Sequence, residues 1–520
     1  MELERIQEIE RATGVNRKEV MRLGVAILFL AGIILYVASR GEVSPMLVIA
    51  GMIGGYMALN IGANDVANNV GPAVGSRALT LIGAITIATI FEASGALIAG
   101  GDVVSTIKKG IIDPANIVDT DVFIWLMMAA LLAGALWLNV ATALGAPVST
   151  THSIVGGVLG AGIAAGGWEV ANWDRMGQIA ASWVISPVIG GIIAAAFLYL
   201  IKRTITYQSD MLGAARRMVP ILVGIMALAF TTYLALKGFK KIWKVDMATA
   251  LAIGAAVGVG VLLLARPWVV KKSAKQSNDK QGVNSLFTIP LVFAAALLSF
   301  AHGANDVANA VGPLAAIDDA LYTGGISAKA AIPLWVMLVG AIGISLGLAL
   351  YGPKLIRAVG TEITELDKMR AFCIALSAAI TVIIATQFGL PVSSTHIAVG
   401  AVFGVGFLRE YLKRNYSRMV EQIQLHHLGR EDKTDVERFL DDFRAANLEG
   451  KRQMLQQLKE HTADADLSKK ERRKLKRAYR HELVKRSAFL KIVAAWLITV
   501  PVSGLMAAML YYMIRGMMLP

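Results

Sequence analysis

The seven-residue sequence G-A-N-D-V-A-N occurs twice in the chain, at Gly62–Asn68 and at Gly303–Asn309. In each copy an Asp stands between two Asn residues, at the end of an apolar run that is otherwise typical of a membrane helix. A carboxylate at the centre of a membrane costs at least about 2.5–3.5 kcal/mol. The Gly that begins each copy permits the backbone to leave helical geometry beside these polar groups. We therefore predict two broken membrane helices that meet at one ion site.

A second motif is also duplicated, as L-G-A-P-V-S-T-T-H at Leu144–His152 and F-G-L-P-V-S-S-T-H at Phe388–His396. Gly and Pro stop a helix, and Ser and Thr are favoured caps for the next one. A helix N-terminus carries roughly +0.5 charge and binds anions without a cationic side chain. Two such helix ends facing each other inside the membrane predict a cradle for a tetrahedral oxyanion such as phosphate or sulfate.

Three acids of the apolar runs are candidates for binding a coupling ion. Asp65 and Asp306 offer carboxylate oxygens beside amide and carbonyl oxygens, which suit Na⁺ better than the imidazole and thiolate sets that bind zinc. Coupling to H⁺ through the same acids is the alternative. Glu92 lies in the middle of another apolar run and is a functional candidate by position, although the second half has no acid at an equivalent place.

The three histidines His152, His302 and His396 lie on the motifs, while the other four lie between 409 and 486. Each motif histidine is interpreted as either a hydrogen-bonding brace or a ligand. The single Cys373 excludes a disulfide framework and is expected to be a small buried residue.

The composition places these motifs in an all-α polytopic membrane protein. The 520 residues are 56% hydrophobic and 17% charged, against about 45–50% and about 25% in soluble domains, and the mean hydropathy is +0.58. Half of the net charge of +14 falls in residues 409–486, which carry 21 Lys and Arg against 14 Asp and Glu. Much of the rest flanks apolar runs, as in loops that touch anionic lipid, so no nucleic-acid partner is expected. We predict a multi-pass protein of the cell membrane.

The motifs recur in the same order, which indicates two homologous repeats. Gly62 and Gly303 are 241 positions apart, and Ser149 and Ser393 are 244 positions apart. We predict broken helices and half-helices, about 12 or 13 membrane segments and a soluble helical insert; whether the repeats are inverted depends on the number of crossings between them. The predicted division is an N-terminal cytoplasmic helix and extra span (1–44), a first membrane repeat with following spans (45–265), a polar linker (266–284), a second repeat (285–408), the charged helical insert (409–486) and a last span (487–520).

The two motif pairs resemble those of the inorganic phosphate transporter (PiT) family of cation–phosphate symporters, over about residues 45–408. The resemblance implies inverted repeats, a phosphate site near the midplane, coupling to Na⁺ or H⁺, and a homodimer. It implies that phosphate is bound by Asn64, Asp65, Ser149, Thr150, Thr151, Asn305, Asp306, Ser393, Ser394 and Thr395. It implies that cations are bound by Asp65, Asn68, Asp306, Asn309 and Glu92, with Na⁺ on Asp65 and Asp306.

We therefore predict a secondary active transporter, not an enzyme, that carries phosphate inward with Na⁺ or H⁺ while two repeats rock around a central site. It is expected to use no cofactor besides the transported ions. Sulfate or another oxyanion is the alternative substrate. Rival interpretations are a passive anion channel, an intramembrane enzyme that uses Asp65 and Asp306 as an acid pair, and a phosphate sensor acting through 409–486. No complete nucleotide-binding motif supports transport driven by hydrolysis.

Overall fold

The computed structural model is helical almost throughout the part of the chain that it describes, namely residues 2–40, 44–113, 116–117, 119–146, 148–238, 245–325, 332–362, 366–426 and 486–518. In the first half the helices are α1 (Glu2–Ala38), α2 (Pro45–Gly75), α3 (Leu81–Ala99), α4 (Gly101–Lys109), α5 (Thr120–Ala143), α6 (Thr150–Gly166), α7 (Trp173–Ile201), α8 (Met211–Tyr233) and α9 (Met247–Ser273). They are followed by α10 (Lys280–Leu286), α11 (Thr288–Asp306), α12 (Ala308–Thr323), α13 (Leu334–Glu362), α14 (Lys368–Gln387), α15 (Ser394–His426) and α16 (Arg486–Met518).

Eleven stretches of the described chain are long and apolar enough to cross a membrane. The stretches Glu19–Ala38, Trp173–Thr206, Met211–Gly238 and Met247–Ser273 confirm the predicted spans at 22–39, 177–201, 218–236 and 247–265. Helices α6 and α15, which follow the two copies of the second motif, lie outside this set, and α6 has only 17 residues. The all-α polytopic fold with additional half-helices is therefore confirmed.

The predicted break of the helix at the first copy of the first motif is wrong. Helix α2 continues without interruption through Gly62–Asn68. In the second copy, α11 ends at Asp306 and α12 begins at Ala308, but Val307 between them keeps near-helical angles of φ −55° and ψ −31°. Gly62 serves another purpose, because a Cβ there would overlap the carbonyl oxygen of Ile344 on α13. The missing side chain lets two helices cross at backbone contact.

The predicted interruptions at the second motif are confirmed. Helix α5 ends at Ala143 and α6 begins at Thr150, while α14 ends at Gln387 and α15 begins at Ser394. Gly145 and Gly389 have φ of 72° and 63°, a conformation that favours glycine. The backbone can therefore reverse direction after α5 and after α14. Each helix pair forms a hairpin whose returning helix starts in the interior of the protein.

The two ends of the bundle are defined by local contacts. At one end Asp113 N–H donates to the Val170 carbonyl at 2.8 Å, close to the start of α7 at Trp173. Helix α7 has 29 residues, or about 43 Å at 1.5 Å per residue, so Ile201 lies at the opposite end. We call the end at Trp173 the 173 end and the end at Ile201 the 201 end.

Two predicted polar segments have different outcomes. The linker predicted at 266–284 is shorter than expected, since α9 continues to Ser273 and α10 begins at Lys280, which leaves only 274–279 between the helices. The charged side chains of this stretch lie at the exposed ends of these helices, which is why sequence periodicity fades there. In the insert 409–486, α15 continues to His426, and residues 427–485 lie outside the described residues. The division into repeats and insert stays a prediction.

Candidate anion and cation site

The starts of the half-helices α6 and α15 lie in the interior, where their hydroxyl side chains are buried. Ser149 accepts a hydrogen bond from the His152 N–H at 3.1 Å, and Ser393 accepts the equivalent bond from the His396 N–H at 3.2 Å. Both serines therefore cap their helices as expected. All six hydroxyl residues of the predicted anion cradle are at most 2% exposed: Ser149, Thr150, Thr151, Ser393, Ser394 and Thr395.

The two carboxylates of the first motif lie against these helix starts and are shared between the halves. Thr150 donates to Asp65 Oδ2 at 2.8 Å, and Thr395 from the other half donates to Asp65 Oδ1 at 3.0 Å. Asp306 Oδ2 accepts from Ser394 at 3.0 Å and lies 3.4 Å from the Thr150 hydroxyl. The structure thus brings together the residues predicted to bind the anion and those predicted to bind the cation.

The outer asparagines of the motif connect the halves as well. Asn68 Nδ2 donates to the Thr395 hydroxyl at 2.8 Å. Asn309 Nδ2 lies 3.2 Å from the hydroxyls of both Thr150 and Thr151. Each amide thus crosses from the helix of one half to the half-helix of the other, so that both halves contribute to one shared site.

The inner asparagines, Asn64 and Asn305, contact the hairpins. Asn64 Nδ2 donates to the Thr142 hydroxyl at 3.0 Å, and Asn64 Oδ1 accepts from the Val148 N–H at 3.2 Å. The Asn305 amide contacts the Thr386 hydroxyl at 2.9 Å in either orientation of the amide. In this structure both side chains therefore brace the hairpin turns, and their binding of phosphate stays a prediction.

His302 is the centre of the buried charge. Its Nε2 lies 3.0 Å from Asp306 Oδ2 and 3.6 Å from Asp65 Oδ2, while its Nδ1 lies 3.2 Å from Glu92 Oε1. Glu92 also accepts from Asn69 Nδ2 at 2.7 Å, and it is fully buried. The imidazole therefore separates Glu92 from the two motif carboxylates, so Glu92 joins the site through His302.

A cation could be held between Asp65, Asp306 and His302. One ligand atom from each of these residues lies within 4.8 Å of the others, and all three residues are buried. The carboxylate and hydroxyl oxygens suit Na⁺, whereas an imidazole among them suits a proton or a transition metal. The arrangement can therefore place one positive charge directly beside the helix starts.

Sequence reasoning left the role of His302 open and missed several bracing residues. His302 and Asp306 are four residues apart, which places them on one face of a helix, and this spacing was the available signal. Thr142 and Thr386 share the 244-residue offset of the second motif, which could have identified them as paired braces. Asn69 has Ala310 at the 241-residue offset, so the repeat gave no signal for it.

His152 and His396 lie on the other side of the half-helices and contact each other. Their ring centroids are 4.4 Å apart at 88°, and His152 and His396 also pack on Trp183 at 3.8 Å and on Trp496 at 3.6 Å. The rings therefore pack the two half-helices together against two tryptophans. Their role as hydrogen-bonding braces or as ligands stays a prediction.

Paired hairpins whose half-helices start beside buried carboxylates in the interior of a helical membrane protein are typical of membrane transporters. The chain belongs to the phosphate transporter family, whose model matches residues 61–507. It is therefore a phosphate transporter of the plasma membrane, with several spans, and not an enzyme.

The relatives agree over most of the chain. A protein of Helicobacter pylori (strain J99) assigned as a phosphate permease is 54% identical over 98% of each chain. A protein of Pyrococcus abyssi with the same assignment is 39% identical over 71% of this chain and 90% of its own. A solved structure titled "The sodium-dependent phosphate transporter" is 31% identical, covers 92% of this chain and all of its own, and superposes with a TM-score of 0.74.

Proposed function

We propose that this protein co-transports inorganic phosphate with Na⁺ by alternating access. The observation that carries the proposal is the sharing of Asp65 and Asp306 between two facing, hydroxyl-bearing helix starts. The helix starts attract an anion, but the two carboxylates repel it. Phosphate therefore binds well only after a cation has offset the carboxylate charge, and this dependence couples the two fluxes.

Sodium is the first candidate for that cation. The hydroxyl oxygens of Thr150, Ser394 and Thr395 contact the carboxylates of Asp65 and Asp306. Such oxygens are hard ligands of the kind that Na⁺ takes. The structural neighbour with 31% identity is described as sodium-dependent. The same acids and the same hydroxyl residues would thus serve cation and anion together.

The proton is the second candidate, and His302 is the observation that favours it. An imidazole that contacts Asp65, Asp306 and Glu92 can carry a proton into the position where a metal cation would otherwise sit. In that case Glu92 would hold the protonated imidazole when phosphate is absent. The two candidates differ in which gradient drives accumulation.

The distribution of charge supports one orientation in the membrane. The 201 end carries Lys202, Arg203, Arg216, Arg217, Lys271, Lys272, Lys275, Lys280, Lys368 and Arg370. The 173 end carries fewer basic residues in the described chain, namely Arg40, Lys108, Lys109, Arg175 and Lys237, together with the acids Asp113, Asp119, Asp121, Glu169 and Asp174. Because cytoplasmic loops are rich in Lys and Arg, we assign the 201 end to the cytoplasm. Uptake then runs from the 173 end to the 201 end.

The termini follow from the same assignment. Arg40, just after α1, lies 4.0 Å from Asp318 and over the ring of Trp335 at 5.2 Å, and the nearby Gly324 carbonyl accepts from Thr120 at the 173 end. Helix α1 therefore begins at the cytoplasmic end. Helix α15 leads from the interior toward the same end, which supports a cytoplasmic position for the end of α15 at His426. A homodimer stays a prediction.

Uptake of radiolabelled phosphate into proteoliposomes of the purified protein tests the proposal. Inward Na⁺, inward H⁺ and no gradient are compared, each with and without excess sulfate. Accumulation above equilibrium with Na⁺ alone, unaffected by sulfate, is the expected result. Accumulation with the H⁺ gradient alone would identify the proton as the coupling ion. Competition by sulfate would show that the anion site also accepts sulfate. Simple equilibration indicates a channel, and binding without flux indicates a sensor.

A further inference from the structure

A groove at the cytoplasmic end lies outside the transport site. It is formed where α7 ends in a π-helical turn, Lys202–Thr206, and the chain returns as α8. Its volume is about 580 Å³. The lining includes Arg203, Thr204, Gln208, Arg217, Met218 and Ile221.

The wall of the groove is cationic. Arg203 comes from the π-helical turn and Arg217 from the second turn of α8, and both side chains are exposed. Neither guanidinium has a carboxylate within 4 Å in the part of the chain that the structure describes. The neighbouring Arg216 instead points to α9, where its Nε donates to the Ser273 hydroxyl at 2.7 Å. Two unpaired guanidinium groups thus flank one groove.

The floor of the groove is apolar and continues toward the membrane interior. Ala214, Met218, Ile221 and Ile225 follow the spacing of one helical face along α8. Ile221 is 39% exposed and Ile225 is 36% exposed, although neither side chain is polar. Since α8 is a membrane span, this face meets lipid acyl chains. The groove therefore joins a cationic rim to a hydrocarbon-facing surface.

We propose that this groove binds an anionic phospholipid of the cytoplasmic leaflet. Arg203 and Arg217 bind the phosphodiester, because guanidinium groups match phosphate oxygens with paired N–H donors. One acyl chain lies along Met218, Ile221 and Ile225. Basic pockets at the cytoplasmic ends of membrane helices recognise lipid head groups in this way. Free inorganic phosphate offers the same head-group chemistry but leaves the apolar floor uncovered.

Native mass spectrometry of the full-length protein, titrated in detergent with phosphatidylglycerol or phosphatidylcholine, tests the proposal. The variant Arg203→Gln/Arg217→Gln removes both charges and keeps polar, unbranched side chains at both positions. At about a fivefold loss for each charge, we expect roughly 30-fold weaker binding of phosphatidylglycerol. The matched control, Lys271→Gln/Lys275→Gln, removes two exposed charges at the same membrane face outside the groove and should bind as the wild type does.

Three results would overturn the proposal. Equal binding of both lipids would show that the groove does not recognise the anionic head group. An equal loss in the lysine variant would assign the effect to general surface charge. Displacement of the lipid by millimolar inorganic phosphate would identify a site for the free ion. Sodium-driven phosphate uptake by the arginine variant, measured in phosphatidylcholine vesicles, should equal that of the wild type, so failure here is distinguishable from failure of the transport proposal.

Discussion

The two halves of the site agree in their hydroxyl groups and in their motif carboxylates, and they differ in one further buried acid and one buried base. Both half-helices begin with a capping serine and two further hydroxyl residues, and both carboxylates accept hydrogen bonds from them. The buried acid and base that join the site, Glu92 and His302, have no ionisable counterparts. At the 241-residue offset, His302 corresponds to Ile61.

The counterpart of Glu92 follows from two matching close contacts. A Cβ on Gly303 would overlap the carbonyl oxygen of Glu92, and a Cβ on Gly62 would overlap that of Ile344. Glu92 in α3 therefore corresponds to Ile344 in α13. Ile61 and Ile344 both belong to one apolar cluster, whereas His302 and Glu92 are in contact at 3.2 Å. The anion cradle and its two carboxylates, Asp65 and Asp306, are therefore duplicated, whereas the Glu92–His302 pair occurs once.

The largest expected effect concerns the close helix crossings, which the halves share. Gly62→Ala and Gly303→Ala each force a methyl group into a backbone carbonyl, and we expect a loss of more than about 3 kcal/mol, the upper end of overpacking. The yield of monodisperse protein and its thermal unfolding measure this. Gly260→Ala is the control, since nothing lies within 4 Å of the added Cβ. Equal stability of Gly62→Ala and Gly260→Ala would refute the crossing.

The next largest effect concerns the two carboxylates. Asp65→Asn and Asp306→Asn keep the shape of the side chain but remove the charge that we propose binds the cation. We expect at least a ~100-fold loss of Na⁺-driven uptake in both variants, equivalent to about 2.7 kcal/mol, with folded protein retained. Asp174→Asn, at the exposed end of α7, should leave uptake unchanged. Wild-type uptake by Asp306→Asn would contradict the proposed function.

Substitutions of His302 and Glu92 should lower uptake, whereas substitutions at their apolar counterparts should not. His302→Gln and Glu92→Gln each remove a contact between charged groups, worth about 1.5–3 kcal/mol, so uptake should fall roughly tenfold to hundredfold.

Conservative changes at the corresponding positions supply the control. Ile61→Val and Ile344→Val remove one methylene each and should lower stability by about 0.5–1.5 kcal/mol, with uptake within about twofold of the wild type. A loss of uptake in these variants as large as that in His302→Gln would show that the site does not depend on the single charged pair.

The smallest effect concerns the caps, for which the halves should behave alike. Ser149→Ala and Ser393→Ala each remove a cap worth about 1 kcal/mol, so the KM for phosphate should rise roughly fivefold in both variants. Ser94→Ala is the control, because that hydroxyl donates to the Ile90 carbonyl of its own helix outside the site. A higher KM in only one of the two variants would indicate that phosphate binds at one half-helix. An unchanged KM in both variants would show that the capping serines do not contribute to phosphate binding.

Much of the candidate site could be predicted from the sequence because both of its motifs occur twice. The hairpins depend on Gly145 and Gly389 with the hydroxyl residues that follow, and each of these features has a local cause in turn or cap chemistry. The unbroken course of α2 could not be predicted in this way. Gly62 permits a helix break and permits a close crossing equally well, and only the position of Ile344 decides between them.

The charge network shows the same limit. The four-residue spacing of His302 and Asp306 is local, whereas Glu92 meets His302 only because α3 packs against α11. The helical course of 266–273 was missed because polar residues at the end of a long helix resemble a loop in sequence. Contacts between helices of different halves decide these features, and a single sequence does not display them.

The glycine crossings also determine the order in which this protein can assemble. Gly62 with Gly347, and Gly95 with Gly303, bring α2 against α13 and α3 against α11 at backbone distance, and each pair joins one helix from each half. During synthesis α2 and α3 leave the ribosome long before their partners exist. The surfaces of α2 and α3 that carry these glycines, together with the carboxylates of Asp65 and Glu92, therefore lack their helix contacts until α11 and α13 have been inserted. No fragment that ends before α13 can therefore complete the site.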